Sequence, residues 1–542
     1  MRIHCLPLVI ALVWSAFGSN LTAPPDARVR VDKIFERYNR TDSPGCVAGA
    51  TIDGAPVFSG AYGMADLEHG IALAPESVLE PGSIAKQFTA AAVLLLVQQG
   101  KLSLDDPVRK YIPEVPDYGT PITIRHLINH TSGLRDWGSV EGIGGWPRTT
   151  REYTHAHVLE IVSRQRAVNY PPGAEYSYTN TGFNLAAILV SRVSGKTFPE
   201  FTREQIFTPL GMTSTQWRDD FRRIVRNRAV AYSSSGNAFR QDMPFEDVFG
   251  NGGLLTTVGD LLRWNRNFTE AKVGGRAFVD AQHQHGRLTD GRTIAYAAGL
   301  MVLHWRGLNE VSHSGSTAGY QGWLGRYPEQ GLSVAVLCNV SSANATELGH
   351  QVADVYLAGV GTRPQVEIRS TDSASLAAKA GLYRSVRDHQ TLSVEVQNGM
   401  LSIAGRGVLA LISGTNVFSV GEDGPRVEFD STGKGLRLSN EIDEGIYYEK
   451  VERWNPTAAE LEAMTGEYSS DEAEVMFQVA LEKDHLVIHR RPDASIVLTP
   501  TYRDGFSSSL GSIRFLRDAQ GTVSELSVAE QRVWDLRFRR VR

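Results

Sequence analysis

Pro81-Gly82-Ser83-Ile84-Ala85-Lys86-Gln87-Phe88 runs into Ala90-Ala91-Ala92-Val93-Leu94-Leu95-Leu96-Val97-Gln98-Gln99-Gly100. The stretch reads as a helix that opens near Gly82-Ser83 and stops at Gly100. Between Phe88 and Val97 nearly every side chain is apolar, so the helix is expected to be buried on all sides. Burial changes the meaning of its first turn. Lys86 follows Ser83 by three residues and lies one turn along on the same face. A dry site disfavours an ammonium. A neutral amine beside a hydroxyl can accept its proton, and the positive end of the helix dipole favours an alkoxide-like Ser83. Two fixed residues in four are a weak signal, because an ordinary helix start with a surface lysine has the same letters. Partners elsewhere in the chain decide between the readings.

The 542 residues are enough for two to four domains. With 42% hydrophobic and 21% charged residues the composition is that of a globular chain. A formal charge of −5 argues against a nucleic-acid partner. The basic end, Arg537-Phe538-Arg539-Arg540-Val541-Arg542, alternates as a last strand would. At the other end, Met1-Arg2-Ile3-His4 is a short basic start, Cys5 to Trp14 an apolar run, and Ala16-Phe17-Gly18 a small-residue cleavage site. Residues 1–18 therefore read as a signal peptide, and the protein is expected to be periplasmic or secreted. The run is too short for a transmembrane anchor, and no later segment looks like one. Cys46 and Cys338 lie in apolar, strand-like runs. In an oxidising compartment they are a disulfide or two buried thiols, and the sequence leaves both open.

After a helix at 27–38, Val47 to Ile52, the turn Asp53-Gly54 and Ala55 to Tyr62 read as a β-hairpin. His126 and His130 have the four-residue spacing of a helical metal pair. No glutamate follows His126 in the zinc-protease pattern and no third ligand presents itself. His155/His157 and His283/His285 are likewise unsupported, so no metal or cofactor is expected. Tyr178-x-Asn180 stands on a polar loop leading into an apolar helix, where capping alone would explain it. Gly250-Asn251-Gly252-Gly253 lacks the Gly-Lys-Ser/Thr ending of a phosphate cradle. Tyr296 to His304 reads as a strand, followed by His313-Ser314-Gly315-Ser316, strands at 323–327 and 332–338, and a closing helix at 347–357. Helices set between early and late strands imply an antiparallel sheet whose two ends meet. No Gly-x-Ser-x-Gly elbow is present, which disfavours an α/β-hydrolase. From about residue 366 short alternating strands replace helices. Leu376-Ala377-Ala378-Lys379-Ala380-Gly381-Leu382-Tyr383 recurs as Leu461-Glu462-Ala463-Met464-Thr465-Gly466-Glu467-Tyr468, and Val427-Glu428-Phe429 as Ile513-Arg514-Phe515. Two barrel-like β units are expected, at 366–454 and 455–542, with Trp454-Asn455-Pro456 as the hinge. They follow a catalytic unit at 19–365, and the fold class is α+β.

Ser83-x-x-Lys86, Tyr178-x-Asn180 and His313-x-Gly315, in that order, resemble the three motifs of the class C β-lactamase / DD-peptidase family of serine hydrolases. The resemblance spans about residues 30 to 360 and includes Arg125-His126-Leu127, His130-Thr131-Ser132-Gly133-Leu134 and Pro209-Leu210-Gly211-Met212. It implies that Ser83 forms an acyl-enzyme, that Lys86 and Tyr178 share the base work, with Tyr178 favoured as a phenolate by a neighbouring cation, and that Asn180 orients Lys86 and binds the substrate amide. The backbone N–H groups of Ser83 and Ser316 would form an oxyanion hole. His313 and Gly315 would complete the substrate-binding edge. His313 stands where the β-lactamase pattern has lysine, so a carboxylate-binding charge is only conditional there. His-x-Gly and the two β units resemble D-aminopeptidases, in which a loop of the last domain enters the active site. The corresponding stretch here, Tyr502 to Ser512, looks short. The resemblance implies hydrolysis of small amides or esters, with D-amino-acid peptides or peptidoglycan fragments foremost. A carboxylesterase, a β-lactamase or a non-turnover penicillin-binding sensor are the alternatives.

Overall fold

Strands β1 (Cys46–Ile52) and β2 (Ala55–Tyr62) make the expected hairpin about Asp53-Gly54, where both turn residues have positive φ. The computed structural model describes residues 21–541 apart from 149, 237, 362–372, 421–423, 440, 441, 443 and 444. The expected leader with Cys5, and the boundary expected at 365/366, lie outside the described residues.

The hairpin pairs with strands that arrive some 250 residues later. Strands β3 (Met301–Trp305), β4 (Leu308–Thr317), β5 (Tyr320–Tyr327) and β6 (Leu332–Cys338) complete a sheet of order β3-β4-β5-β6-β1-β2. All its pairings are antiparallel. Helices cover both faces, so every residue of β1 is buried. Cys46, Ala48 and Ala50 face α1 (Ala27–Ile34) and α6 (Ala345–Tyr356), while Val47 faces the larger core. On that second side lie α2 (Lys86–Gln98), α3 (Trp137–Ile143), α4 (Asn180–Ser194) and α5 (Val258–Glu270). The period-2 alternation of β1 thus divides one strand between two cores.

Every side chain of α2 from Lys86 to Leu96 is buried, as its composition requires. Phe88 packs on Trp264 of α5, ring centroids 4.6 Å apart, and α2 lies along α4. Gly100, at φ 67°, ends the helix in the left-handed conformation that glycine adopts without a Cβ clash. The Tyr296 to His304 strand is shorter than expected. It begins at Met301, because Gly299 (φ 74°) turns the chain against the Lys86 backbone, where a Cβ would come within 2.5 Å of the Lys86 carbonyl oxygen.

The two β units close, among the described residues, into antiparallel barrels of eight strands each. The sequence repeat is a structural one. Tyr383 and Tyr468 each donate a hydroxyl hydrogen bond to the carbonyl four residues back, Lys379 and Met464. Each also meets the repeat's phenylalanine edge-on, Phe429 at 6.0 Å and Phe515 at 5.8 Å. Trp454 is docked on the second barrel by its N–H to Thr501 and by Phe506, rather than left free as a hinge. The first barrel keeps a core of its own, whereas that of the second is continuous with the catalytic core. A buried ion pair, Arg135–Glu472 at 2.7 Å, pins this junction.

Cys46 and Cys338 stand opposite one another on β1 and β6 and are bonded as a disulfide across 292 residues of sequence. Closing so long a loop restricts the unfolded chain, an effect of about 2–5 kcal/mol. Non-reducing peptide mapping of oxidatively folded protein is expected to recover residues 46 and 338 in one linked species. Replacing both cysteines with alanine should lower the unfolding free energy by that amount. Alkylation of both thiols without reductant would contradict the pairing.

Candidate active site

The Ser83 turn is held from below by charge. Glu80 and Arg218 form a fully buried pair, with Arg218 Nε 3.0 Å from the carboxylate. Glu80 also accepts the Gly253 N–H at 3.0 Å, and the Arg218 N–H reaches the Gly253 carbonyl at 2.7 Å. The pair therefore ties the start of the turn to the Gly250–Gly253 loop. From the side, the turn is held by backbone contact. Strand β3 pairs with β4 only as far as Ser312, so His313 to Thr317 present an edge beyond it. That edge lies on the Ser83 turn. A Cβ at Gly315 would fall 2.0 Å from the Pro81 oxygen and 2.5 Å from the Ser83 nitrogen, and one at Gly82 would fall 2.4 Å from the Ser316 nitrogen. Only glycines permit this approach, which sets the backbones of Ser83 and Ser316 side by side.

Lys86 Nζ lies 3.0 Å from Ser83 Oγ, 2.9 Å from Asn180 Oδ1 and 2.7 Å from the Asn251 carbonyl. The side chain is buried, and its amine is held well below the ordinary lysine range, first by desolvation and then by the charge of Arg532. A neutral amine has two N–H donors and one lone pair. Asn180 and Asn251 present pure acceptors that occupy the two donors, so the lone pair faces the Ser83 hydroxyl. Asn251 is itself fixed by Asn184 of α4, whose amide donates to Asn251 Oδ1 at 2.7 Å and whose Oδ1 accepts from Trp137 Nε1 at 2.9 Å.

Tyr178 stands over the same amine, with Lys86 Nζ 4.8 Å from its ring centroid. Burial pushes its phenol up to about 12, against the smaller opposing effects of a Ser83 hydrogen bond and of Arg532. Tyr178 is thus a neutral phenol, not the phenolate that a neighbouring cation was expected to favour. Asn180 begins α4, and its backbone N–H donates to Asp136 at 2.6 Å. Asp136 caps α3 by accepting from Gly138 and Ser139 as well.

His313 is buried, and desolvation carries its imidazole down to about 3. Its Nδ1 lies 2.5 Å from the Ser314 carbonyl, which can only accept, so the proton sits on Nδ1. Nε2 then accepts from the Tyr296 hydroxyl at 3.0 Å. Both ring nitrogens are occupied, and the conditional positive charge expected of His313 is absent at neutral pH. His126 and His130 do not form a helical metal pair. Their helix ends at Ile128, His130 has φ 58°, and the His126 ring accepts from the Thr123 N–H as a cap. The His130 ring lies tilted against Tyr178, centroids 4.1 Å apart, and accepts from the Thr179 N–H. The other pairs also bond backbone: His157 accepts from Thr154 N–H and His283 lies against the Val279 carbonyl in their own helices, while His155 reaches the Phe249 carbonyl and His285 the Ile294 carbonyl.

Ser83, Tyr178, Asn180, His313, Gly315 and Ser316 line one cleft of about 700 Å³, with Lys86 beneath its floor. A larger groove of about 910 Å³ between residues 116–118 and 469–476 holds no such nucleophile and amine. The Beta-lactamase family model matches residues 31–357, more than half of the chain. The chain belongs to the Beta-lactamase family. It is a serine hydrolase of that family, and the two barrels follow the family domain. Relatives include a D-aminopeptidase of Brucella anthropi, 25% identical over 510 residues that cover 90% of this chain and 93% of that protein. Penicillin-binding protein 4* of Bacillus subtilis is 26% identical over 58% of this chain and 72% of its own length. Among solved structures, the octameric penicillin-binding protein homologue from Pyrococcus abyssi shares the fold, with a TM-score of 0.55, 22% identity, and coverage of 78% of this chain and 99% of that one.

This Beta-lactamase family hydrolase also has wall residues that the sequence did not single out. Arg148, Ile442 of the first barrel, and Gln531 and Arg532 of the second line the cleft. Arg532 lies on the turn between β7 (Val523–Glu530) and β8 (Val533–Arg540), with its guanidinium 5.0 Å from the Tyr178 ring centroid. The segment of the last domain that enters the site is therefore this turn, not Tyr502 to Ser512. A two-residue turn more than 200 positions after the last motif carries no signal of its own. Asp136 was legible in principle, as an N-cap before Trp137.

Two outcomes follow from the site's electrostatics. Glu80→Ala leaves Arg218 buried without its partner and is expected to cost about 3–5 kcal/mol in urea unfolding. Burial also holds His126 and His155 down to about 4 and His283 and His313 down to about 3. The unfolded chain binds these protons near pH 6.5 and the folded chain does not, so stability falls as pH drops from about 6.5 toward 3. Each histidine contributes a slope of up to about 1.4 kcal/mol per pH unit. Stability that stays flat between pH 6.5 and 4 would contradict the neutral, buried imidazoles.

Proposed function

We propose that the protein hydrolyses small amides or esters of D-amino acids, such as D-amino-acid peptides or peptidoglycan fragments, through an acyl-enzyme on Ser83. The observation that carries this reading is the buried Lys86 amine, whose lone pair is left to the Ser83 hydroxyl by two fixed acceptors. In the proposed reaction Lys86 takes the Ser83 proton as Oγ attacks the acyl carbon. The resulting oxyanion accepts the backbone N–H groups of Ser83 and Ser316, which the glycine contacts bring side by side. Tyr178, a neutral phenol, protonates the leaving nitrogen or oxygen and is re-protonated from Lys86. Asn180 orients Lys86 and the substrate amide. His313 and Gly315 act as scaffold: His313 fixes Tyr296, and Gly315 admits the Ser83 turn to the strand edge. Water deprotonated by Lys86 then cleaves the acyl-enzyme.

The D-amino-acid substrate class draws support from the D-aminopeptidase relative, whose alignment covers 90% of this chain and so reaches into both barrels. The Cys46–Cys338 disulfide and the leader-like residues 1–18 support a periplasmic or secreted location.

Incubation with a fluorophosphonate, followed by peptide mass spectrometry, is expected to place one label on Ser83. N-acetyl-D-alanyl phenyl ester should turn over in the steady state, and Lys86→Met should slow it by about 10²- to 10⁴-fold. Undiminished turnover by Ser83→Ala would contradict the proposal. A single stoichiometric burst without turnover would replace it with a binder that acylates and stops.

A further inference from the structure

Arg532 reaches the catalytic cleft from another domain, over the Tyr178 ring, and its guanidinium N–H donors are open. Its backbone is anchored. The Arg532 carbonyl accepts from Asn169 Nδ2 at 3.0 Å, Trp534 N–H donates to Asn169 Oδ1 at 3.0 Å, and the Trp534 and Tyr170 rings pack 5.0 Å apart. The turn is therefore held to the catalytic domain at Arg532 and at Trp534. Its guanidinium makes no hydrogen bond among the described residues. It forms a long ion pair with Asp136 at 3.8 Å, beyond hydrogen-bond reach. The Asp136 oxygens already accept from three backbone N–H groups, of Gly138, Ser139 and Asn180. Glu530 accepts the Arg532 backbone N–H rather than the guanidinium. Arg148, the other arginine in the cleft wall, is tied to Glu246 by Nε at 2.9 Å.

A planar, always charged fork with open donors, one third exposed to a cleft, matches one ligand chemistry well: a carboxylate bound through two parallel N–H bonds. The same charge repels an ammonium. From this geometry we infer that Arg532, supplied by the second barrel, selects substrates that carry a carboxylate beside the scissile bond and discriminates against those with a free amine there. The inference rests on the acyl-transfer reading proposed above and specifies its substrate class. It gives the second barrel a place in the active site. It also supplies the positive charge that the buried, neutral His313 does not.

The test uses the full-length chain and matched ester substrates. N-acetyl-D-alanyl-D-lactate is compared with its lactamide, and N-succinyl-D-alanyl phenyl ester with the N-acetyl and the free-amine compounds. The wild type is expected to favour the carboxylate member of at least one pair by about 10- to 100-fold in kcat/KM. The preference should reside chiefly in KM and weaken with added salt. Arg532→Gln should collapse the ratio toward one, and Arg532→Lys, which keeps the charge but loses the fork, should restore it in part. A preference for the free amine, a preference that survives Arg532→Gln, or no preference in either pair would overturn the inference. Fluorophosphonate labelling of Ser83 in the same samples separates the two readings. An intact label without charge preference sinks the role of Arg532 alone, and an absent label sinks both.

Discussion

The structure depends on an amine taken out of water without a counter-ion in contact. The hydrogen-bonding neighbours of Lys86 are a hydroxyl, a side-chain amide oxygen and a peptide carbonyl. Carboxylates exist nearby, but Asp136 is occupied by backbone N–H groups and Glu80 by Arg218 and Gly253. Desolvation of an ammonium costs several kcal/mol even after relaxation. Losing the proton avoids that cost, and the neutral form is the one that can act as a base. Arg532 works in the same direction by placing a positive charge near the amine.

Much of the surrounding fold serves to keep the amine in this state. Helix α2 must be buried along its length, which explains its run of alanines and leucines and the cores that enclose it. Lys86 must be matched by exactly placed acceptors, and these come from α4 and from the Gly250–Gly253 loop, joined through Asn184 and Asn251. Ser83 must be exposed to the cleft while its backbone touches the sheet, which requires glycine at both 82 and 315. Burial on this scale also removes charge elsewhere. His313 and His130 are neutral for the same reason as Lys86, and Tyr178 keeps its proton. The groups that meet around Ser83 are neutral, and the charges stand behind them or in the cleft wall, as Glu80–Arg218 and Arg148 and Arg532 do.

The parts legible in the sequence were those with local causes. The apolar length of α2, the hairpin about Asp53-Gly54 and the barrel repeat ending in Tyr383 and Tyr468 each follow from spacing that neighbouring residues enforce. The order of the three motifs marked the residues that meet at the cleft. Features set by long-range contact were not legible. The extent of β3 depends on Gly299 meeting the Lys86 backbone, and the pairing of Cys46 with Cys338 depends on strand register. Arg532 enters the site because the second barrel docks through Glu472 and Asn169. Residue type left the charge of His313 conditional and misjudged that of Tyr178, because burial outweighs the pairwise effects that a sequence suggests.

The account is tested most directly by the protonation state of one nitrogen. Lysine labelled with ¹³C at Cε, with the Lys86 resonance assigned by its loss in Lys86→Met, reports that state by NMR titration. A neutral amine at pH 7, whose resonance moves only on acidification, is the predicted result. An ammonium at pH 7 that titrates near the ordinary lysine value, about 10.4, would contradict the mechanism at its base.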